Sequence, residues 1–286
     1  MAITNTKLNS KMDPNWCSGC GNFGIWAAFK HAAQEADWNN SNSVIVAGIG
    51  CHGHMVNFTE ITGFQGLHGR PIPVASGIKI ANHKLNVFVS TGDGDCMSEG
   101  GNHLIHAANR NNDITVLLHD NAIYGLTTGQ SSPLSGKGFK SKSTPLGKIE
   151  DSINPLQVAL ASGATFIARE YSGNVKELSQ LIIKASEHKG FAIIDILQPC
   201  VAFNKTNTHT FYRRNIYNLP ESYEASDKNA AFAKVLEWGI KKIPVGIIYQ
   251  ENKLTYEQQL PQLNQDILIN LPRNQKEINS LITKYS

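Results

Sequence analysis

The sequence predicts an open, mostly parallel α/β sheet, doubly wound with helices on both faces, and three observations carry that expectation. Short apolar runs of strand length recur at 43–48, 85–91, 113–119, 165–169 and 191–197. Segments with helical composition or periodicity lie between them. One run leads straight into Gly92-Asp93-Gly94, then a helix and another strand, which is a βαβ unit of a parallel sheet. With 286 residues the chain is long enough for one large domain with a substantial core.

In chain order, residues 1–15 are polar and unpatterned and read as a loose or docking arm. Asn15 to Asn22 forms a tight turn in which two glycines supply backbone freedom. Residues 23–36 lack proline and are rich in alanine and aromatics, so they read as a helix packed on an apolar surface. The strand at 43–48 ends in Gly48-Ile49-Gly50-Cys51-His52-Gly53-His54. Residues 55–70 have mixed polarity and read as a loop with one helical turn; another helix begins within 74–81. Strand 85–91 enters the glycine-acid turn, and helix 98–110 and strand 113–119 complete the unit. The polar stretch 127–150 is too long and too unpatterned to be a plain connector, so it reads as a functional loop. Helix 155–162, strand 165–169 and helix 175–188 follow; Leu178, Leu181, Ile182 and Ala185 share a face of the last. Strand 191–197 ends at Gln198-Pro199-Cys200. A helix at 227–240, a strand at 245–249 and a helix at 274–284 close the chain. The expected division is an α/β domain over 1–220 and a C-terminal extension over 221–286 suited to contact a partner subunit.

Composition removes several function classes. Lys and Arg number 26 against 23 Asp and Glu, and no dense basic block suggests a nucleic-acid track. No apolar run approaches the roughly 20 residues of a membrane span, and residues 1–9 lack the apolar stretch of a secretory signal. No nucleic-acid or membrane partner and a cytosolic location are the expectations. Five cysteines, at 17, 20, 51, 96 and 200, are too few and too odd in number for a disulfide scaffold. They read as one metal cluster with a spare, or as scattered core residues.

The glycine-acid turn lies where a parallel sheet presents ligands, at the carboxyl end of a strand. Glycine lets the backbone approach a phosphate, and the following helix aims N–H groups at the same point. Two acids would repel a phosphate unless a cation lay between, and magnesium, which takes oxygen ligands, meets that need. Asn121, just past the next strand, and the backbone carbonyl of Ile123 can add oxygens beside Asp93. Cys17 and Cys20 form a CxxC turn, while Cys51 and Cys200 follow strands at the same edge. Four soft ligands suit zinc or an iron–sulfur cluster, and spacing alone leaves both open.

Gly92-Asp93-Gly94 followed by a strand and Asn121 resembles the magnesium–diphosphate motif of thiamine diphosphate enzymes. Most of the chain resembles the β subunit of the short, two-gene type of 2-oxoacid:ferredoxin oxidoreductase. The matching stretches are Trp16-Cys17-Ser18-Gly19-Cys20-Gly21, Gly48-Ile49-Gly50-Cys51, Leu67-His68-Gly69-Arg70, Gly77-Ile78-Lys79, Gly92-Asp93-Gly94-Asp95 and the run from Tyr124 to Pro133. The resemblance implies that Asp93, Asn121 and Ile123 hold Mg2+, and that thiamine diphosphate meets Cys51, His52, Gly92, Asp93, Gly94, Asp95, Asn121, Ile123, Tyr124, Gly125, Leu126 and Thr127. It implies that Cys17, Cys20, Cys51 and Cys200 hold one 4Fe-4S cluster. The implied reaction is decarboxylation of a 2-oxoacid such as pyruvate or 2-oxoglutarate, with the acyl group passing to coenzyme A and electrons to ferredoxin. Thiamine enzymes take a glutamate from a second α/β domain to activate the cofactor. This chain has room for one such domain, so an α subunit with the pyrimidine-binding domain is implied. His52, His54, His68 and Arg70 are the candidate catalytic side chains. His52 stands where many relatives place a small polar residue. His54 could pair with the second carboxylate of 2-oxoglutarate, and Arg70 offers a fork for a carboxylate or phosphate. Two rival readings are a non-oxidative thiamine-dependent decarboxylase subunit and a zinc-bound, non-catalytic assembly subunit.

Overall fold

The protein is described by a computed structural model covering residues 8–264, 266–272 and 275–285. Its strands are β1 (Ser43–Ala47), β2 (Gly63–Gln65), β3 (Asn86–Gly92), β4 (Thr115–Asp120), β5 (Ile123–Tyr124), β6 (Gln130–Ser131), β7 (Phe166–Tyr171), β8 (Ala192–Leu197), β9 (Ile216–Asn218) and β10 (Ile243–Gln250). The helices are α1 (Asn22–Glu35), α2 (Met55–Phe58), α3 (Pro71–Ala81), α4 (Gly101–Arg110), α5 (Pro155–Ala161), α6 (Val175–Glu187), α7 (His209–Asn215), α8 (Lys228–Leu236) and α9 (Gln275–Tyr285). Eight strands form one sheet in the order β2-β1-β3-β4-β8-β7-β10-β9, and β5 pairs with β6 as a small hairpin. All neighbours in the large sheet run parallel except β10 against β7. The doubly wound α/β class read from the sequence is the class observed.

Burial on both faces explains the continuous apolar runs. Successive strand residues point to opposite sides. Ile45, Phe88, Leu117 and Ile194 therefore pack under α1 and α6 beside Ile25, Phe29, Leu178 and Ile182. Val46, Val89, Val116, Leu118 and Ile193 pack on the other side with Leu104 of α4 and Leu156 and Leu160 of α5. A strand between two helical layers has no polar face to show, so alternation disappears from its sequence.

The departures from expectation are local. Within 55–70 the chain forms α2 and the edge strand β2, whose three residues are all exposed and so give no apolar signal. The helix expected from 98 begins at Gly101, because Asp95–Glu99 is wound as a π-helical turn, a form that often marks functional sites. α7 and β9 arise in a polar stretch read without structure. There Thr208 caps α7 by accepting from the Phe211 N–H, and only Tyr212 and Asn215 of the helix are buried. β10 lies past residue 220 yet is bonded into the main sheet through β7. Among the described residues no helix is long and apolar enough to cross a membrane.

Candidate active site

β1, β3, β4 and β8 are consecutive in the sheet, and each delivers an expected residue just past its carboxyl end: Cys51, Asp93, Asn121 and Cys200. All twelve residues expected at the cofactor, together with His68, line one small cavity of about 70 Å³ at this edge. The glycines there are required by crowding. A Cβ on Gly94 would sit 2.4 Å from the Tyr124 ring, and one on Gly92 would sit 2.6 Å from His52 Nδ1.

The two acids of the turn have different jobs. Asp93 is buried, and burial pushes its carboxyl up to about 7 even though the Ser132 hydroxyl and nearby backbone N–H groups bond to it. A carboxylate so placed is short of positive charge. Asn121 sits beside it; its Oδ1 accepts from the Ile123 N–H at 3.1 Å, which shapes the turn that carries the Ile123 carbonyl. Asp95 has its oxygens committed within the protein. Oδ1 accepts from the N–H groups of Ile49 (3.0 Å) and Gly69 (2.7 Å) and lies 2.9 Å from His68 Nδ1. Oδ2 accepts from the Thr91 hydroxyl at 2.6 Å and lies 3.6 Å from His52 Nε2. Burial alone would raise the Asp95 pKa, but His52, Thr91 and the Gly69 N–H outweigh burial and hold it at about 2. Asp95 thus ties together the loops carrying Cys51 and His68.

The four expected cysteine ligands surround a neighbouring cavity of about 250 Å³, whose walls include Trp16, Leu126, Val201 and Phe203. The CxxC turn is closed by the Cys20 N–H donating to the Cys17 carbonyl at 2.9 Å, and Trp16 Nε1 donates to the Cys51 carbonyl at 2.7 Å. Burial pushes the Cys20 thiol up to about 12 and the Cys51 thiol to about 11, and the charges of their cysteine neighbours add to it. Cys17 is exposed at the mouth. Cys96 lies apart from this cavity, buried in the π-helical turn.

Gly125 stands in the wall between the two cavities, which also share Cys51, Asn121 and Leu126. A Cβ placed on it would lie 3.7 Å from Cys51 Sγ, 3.8 Å from Cys200 Sγ and 3.7 Å from Asn121 Nδ2. Gln198 makes a second link, which the sequence alone did not reveal. Its Oε1 accepts from Asn121 Nδ2 at 2.9 Å, and its Nε2 points to Cys20 Sγ at 3.3 Å. Its place between strand β8 and Cys200 was the available signal. Ser132 and Trp16 were also missed as supports, of Asp93 and of the Cys51 loop respectively.

The candidate catalytic side chains separate. His52 and His68 face the acid cavity. His54 lines the thiol cavity, stacked on Phe58 and 3.3 Å from Asn57 Nδ2 through its own Nδ1. Arg70 is exposed and reaches His103 at 3.0 Å, and it lines neither cavity. Lys79 is buried in an ion pair with Asp113 at 2.8 Å. In the 127–150 loop, Lys148 is buried and donates to the carbonyls of Pro133 and Ser135.

Residues 48–196 match the family described as thiamine pyrophosphate enzyme, C-terminal TPP binding domain. Residues 200–265 match the family of the C-terminal region of the pyruvate ferredoxin oxidoreductase beta subunit. The chain is 43% identical to the β subunit of 2-oxoacid:ferredoxin oxidoreductase 1 from Aeropyrum pernix, over 90% of this chain and 85% of that one. It is 45% identical to the corresponding β subunit from Sulfolobus, over 86% and 85%. A solved 2-oxoglutarate:ferredoxin oxidoreductase from Magnetococcus marinus, with 2-oxoglutarate, coenzyme A and succinyl-CoA bound, superposes with a TM-score of 0.89 and 36% identity, covering 96% of this chain and 94% of that one. A thiamine-binding edge set against a cysteine-walled cavity, on a chain with these relatives throughout its length, belongs to the β subunits of the 2-oxoacid:ferredoxin oxidoreductase family.

Proposed function

We propose that this β subunit holds thiamine diphosphate through Mg2+ bound by Asp93, Asn121 and the Ile123 carbonyl, and a 4Fe-4S cluster through Cys17, Cys20, Cys51 and Cys200. With an α subunit it performs coenzyme A-dependent oxidative decarboxylation of a 2-oxoacid and passes the electrons to ferredoxin. The observation that carries this reading is the Gly125 wall, where one residue borders Asn121 on the oxygen side and two thiols on the sulfur side.

The residues present fit both groups. Asp93 is a buried carboxylate lacking positive charge, which a divalent cation would supply. The four thiols wall a cavity, and among the described residues no three His, Cys, Asp or Glu side chains converge as ligands of a single ion would. Four thiols around a cavity of about 250 Å³ suit an iron–sulfur cluster. When bound, thiamine diphosphate supplies the electron sink for loss of carbon dioxide, and the cluster supplies a one-electron acceptor.

The chain's own residues do the remaining work. Gly92 and Gly94 let backbone come close to the diphosphate. Asp95 lies 2.9 Å from His68 Nδ1 and 3.6 Å from His52 Nε2, so its carboxylate holds both rings at the cavity, where they can meet a substrate oxygen. Gly125, too small to intervene, keeps the distance between the two cavities short. The exposed Cys17 places one edge of the thiol cavity at the surface, where ferredoxin would approach. Neither cavity is lined by a glutamate, and about 70 Å³ is too small to enclose the whole cofactor. Both facts support completion by an α subunit.

The Magnetococcus enzyme, with 2-oxoglutarate bound, favours 2-oxoglutarate as a substrate here beside pyruvate. The test is to co-purify both subunits anaerobically and follow methyl viologen reduction with each 2-oxoacid, with and without coenzyme A. Activity in the mixture alone, with iron present, is the expected result. Full activity of the lone β chain, or product formed without viologen reduction, would refute the reading. His54→Ala should change the ratio of 2-oxoglutarate to pyruvate turnover if His54 reads the distal carboxylate.

A further inference from the structure

The chain that passes the sulfur ligands carries one sign of charge. Segments 15–20 and 198–203 bring Cys17, Cys20 and Cys200 to the thiol cavity. No Asp or Glu falls between Asp13 and Glu35, and none falls between Asp195 and Glu221. The second interval nevertheless holds Lys205, Arg213 and Arg214. The chain as a whole is close to neutral, with 26 Lys and Arg against 23 Asp and Glu. Acids are therefore missing from these two segments in particular.

The fold ties those cations to the mouth of the cavity. Val201, in the cavity wall, would lie 3.7 Å from a Cβ on Gly19, so the CxxC turn and the segment after Cys200 pack together. Lys205 Nζ donates to the Val201 carbonyl at 2.6 Å. His209, the first residue of α7, donates through Nε2 to the Gly19 carbonyl at 2.7 Å, which anchors the helix on the CxxC turn. Arg213 follows His209 by four residues and so shares its face of α7, with Arg214 beside it.

Nothing in the chain neutralises them. Lys205, Arg213 and Arg214 are exposed, and none forms an ion pair with a carboxylate among the described residues. Phe203 lines the same cavity and is 39% exposed, and Cys17 is exposed beside it. A small apolar and sulfur centre with unpaired cations near it has the anatomy of a transient protein contact, in which charge steers and orients the partner. A small-molecule electron acceptor needs no such collar. Resting on the reading that the thiols hold a cluster, we infer that Lys205, Arg213 and Arg214 form the docking face for the protein electron acceptor, a ferredoxin that presents carboxylates around its own cluster. Such exposed pairs act over about a Debye length, roughly 8 Å at physiological salt, so they set encounter and orientation rather than the chemistry inside.

The test uses the intact, cluster-loaded complex under anaerobic conditions, reducing either methyl viologen or an acidic two-cluster ferredoxin with the same 2-oxoacid. In the unaltered complex the KM for ferredoxin should rise with ionic strength. Arg213→Glu with Arg214→Glu should raise it about tenfold at low salt, leave kcat unchanged and flatten the salt dependence. Lys205→Glu should raise it about threefold. Arg213→Lys with Arg214→Lys should keep most of the affinity, because the contact needs charge rather than a planar fork. Methyl viologen reduction and iron content should match the unaltered complex in every variant. If the double reversal loses iron, Lys205→Glu decides the question. A ferredoxin KM that is unchanged in the reversed variants, or indifferent to salt in the unaltered complex, would overturn the docking face. So would failure of the double-reversed chain to co-purify with the α subunit, which would assign the collar to that subunit. Absence of viologen reduction in the unaltered complex would instead sink the cluster reading itself, and the docking face with it.

Discussion

The cavities on the two sides of Gly125 solve the same problem with different atoms. On one side, oxygen donors from Asp93 and Asn121 stand at the ends of β3 and β4. On the other, four thiols stand on the CxxC turn and at the loops after β1 and β8. In both, burial opposes the charged form of the donors: Asp93 is pushed up to about 7 and Cys20 to about 12. Ionising either set inside the protein would call for a cation beside it, hard for the oxygens and soft for the thiolates, which is what the proposed groups would supply. The lesson is that the fold sets an oxygen-donor cavity and a thiol cavity side by side with Cys51, Asn121, Gly125 and Leu126 as their shared lining, so the two donor sets meet across a boundary one residue thick.

That separation can be attacked from either side. Cys51→Ser should remove most of the iron and lower 2-oxoacid oxidation about a hundredfold or more. Thiamine diphosphate binding, measured calorimetrically, should persist. Asp93→Asn should do the converse: cofactor affinity in Mg2+ falls about a hundredfold while iron per chain is unchanged. Loss of both groups in either variant would mean that the two cavities form one unit. A smaller effect is expected at the link between them. Gln198→Leu removes the N–H directed at Cys20 Sγ, and donors to sulfur stabilise the reduced cluster. The cluster potential, read by redox titration, should fall by some tens of millivolts; a potential unchanged or raised would dissociate Gln198 from the cluster.

The smallest expected effect is a control. Glu170 is also buried and also pushed up to about 7, by burial, although the Tyr171 N–H and Asn174 amide bond to it. It lines neither cavity, so its raised pKa has no cation to answer it. A carboxyl raised on folding contributes stability that is fully present below its unfolded value and lost as pH rises through about 7. Glu170→Gln should therefore be near neutral at pH 5 and stabilising at pH 8, by about 3 kcal/mol at most. The thermal midpoint against pH checks this. The difference should be insensitive to Mg2+, in contrast to Asp93→Asn.

Much of this was legible in the sequence for a physical reason. Strands buried on both faces leave apolar runs, and glycines forced by crowding leave Gly92-Asp93-Gly94, so sheet and cofactor edge could be read together. The role of Asp95 could not, because its adjacency to Asp93 gives no hint that its oxygens face inward to Thr91, His68 and the Gly69 N–H. Arg70 was placed near the site by its neighbours in sequence, yet its side chain turns outward to His103. α7 was hidden because its stability rests on the Thr208 cap and two buried residues rather than on an apolar stripe. Gln198 stands out in the sequence only as part of a strand end, since a side-chain bridge between two loops has no sequence period.

The most direct measurement is electron paramagnetic resonance on the anaerobic complex mixed with a 2-oxoacid and no external acceptor, beside an iron assay. The expected result is about four iron atoms per β chain and the signal of a reduced cluster appearing on substrate addition, lost in Cys200→Ser. An iron-free complex that still oxidises 2-oxoacids at full rate, or a cluster that stays oxidised throughout turnover, would contradict electron transfer across the Gly125 wall.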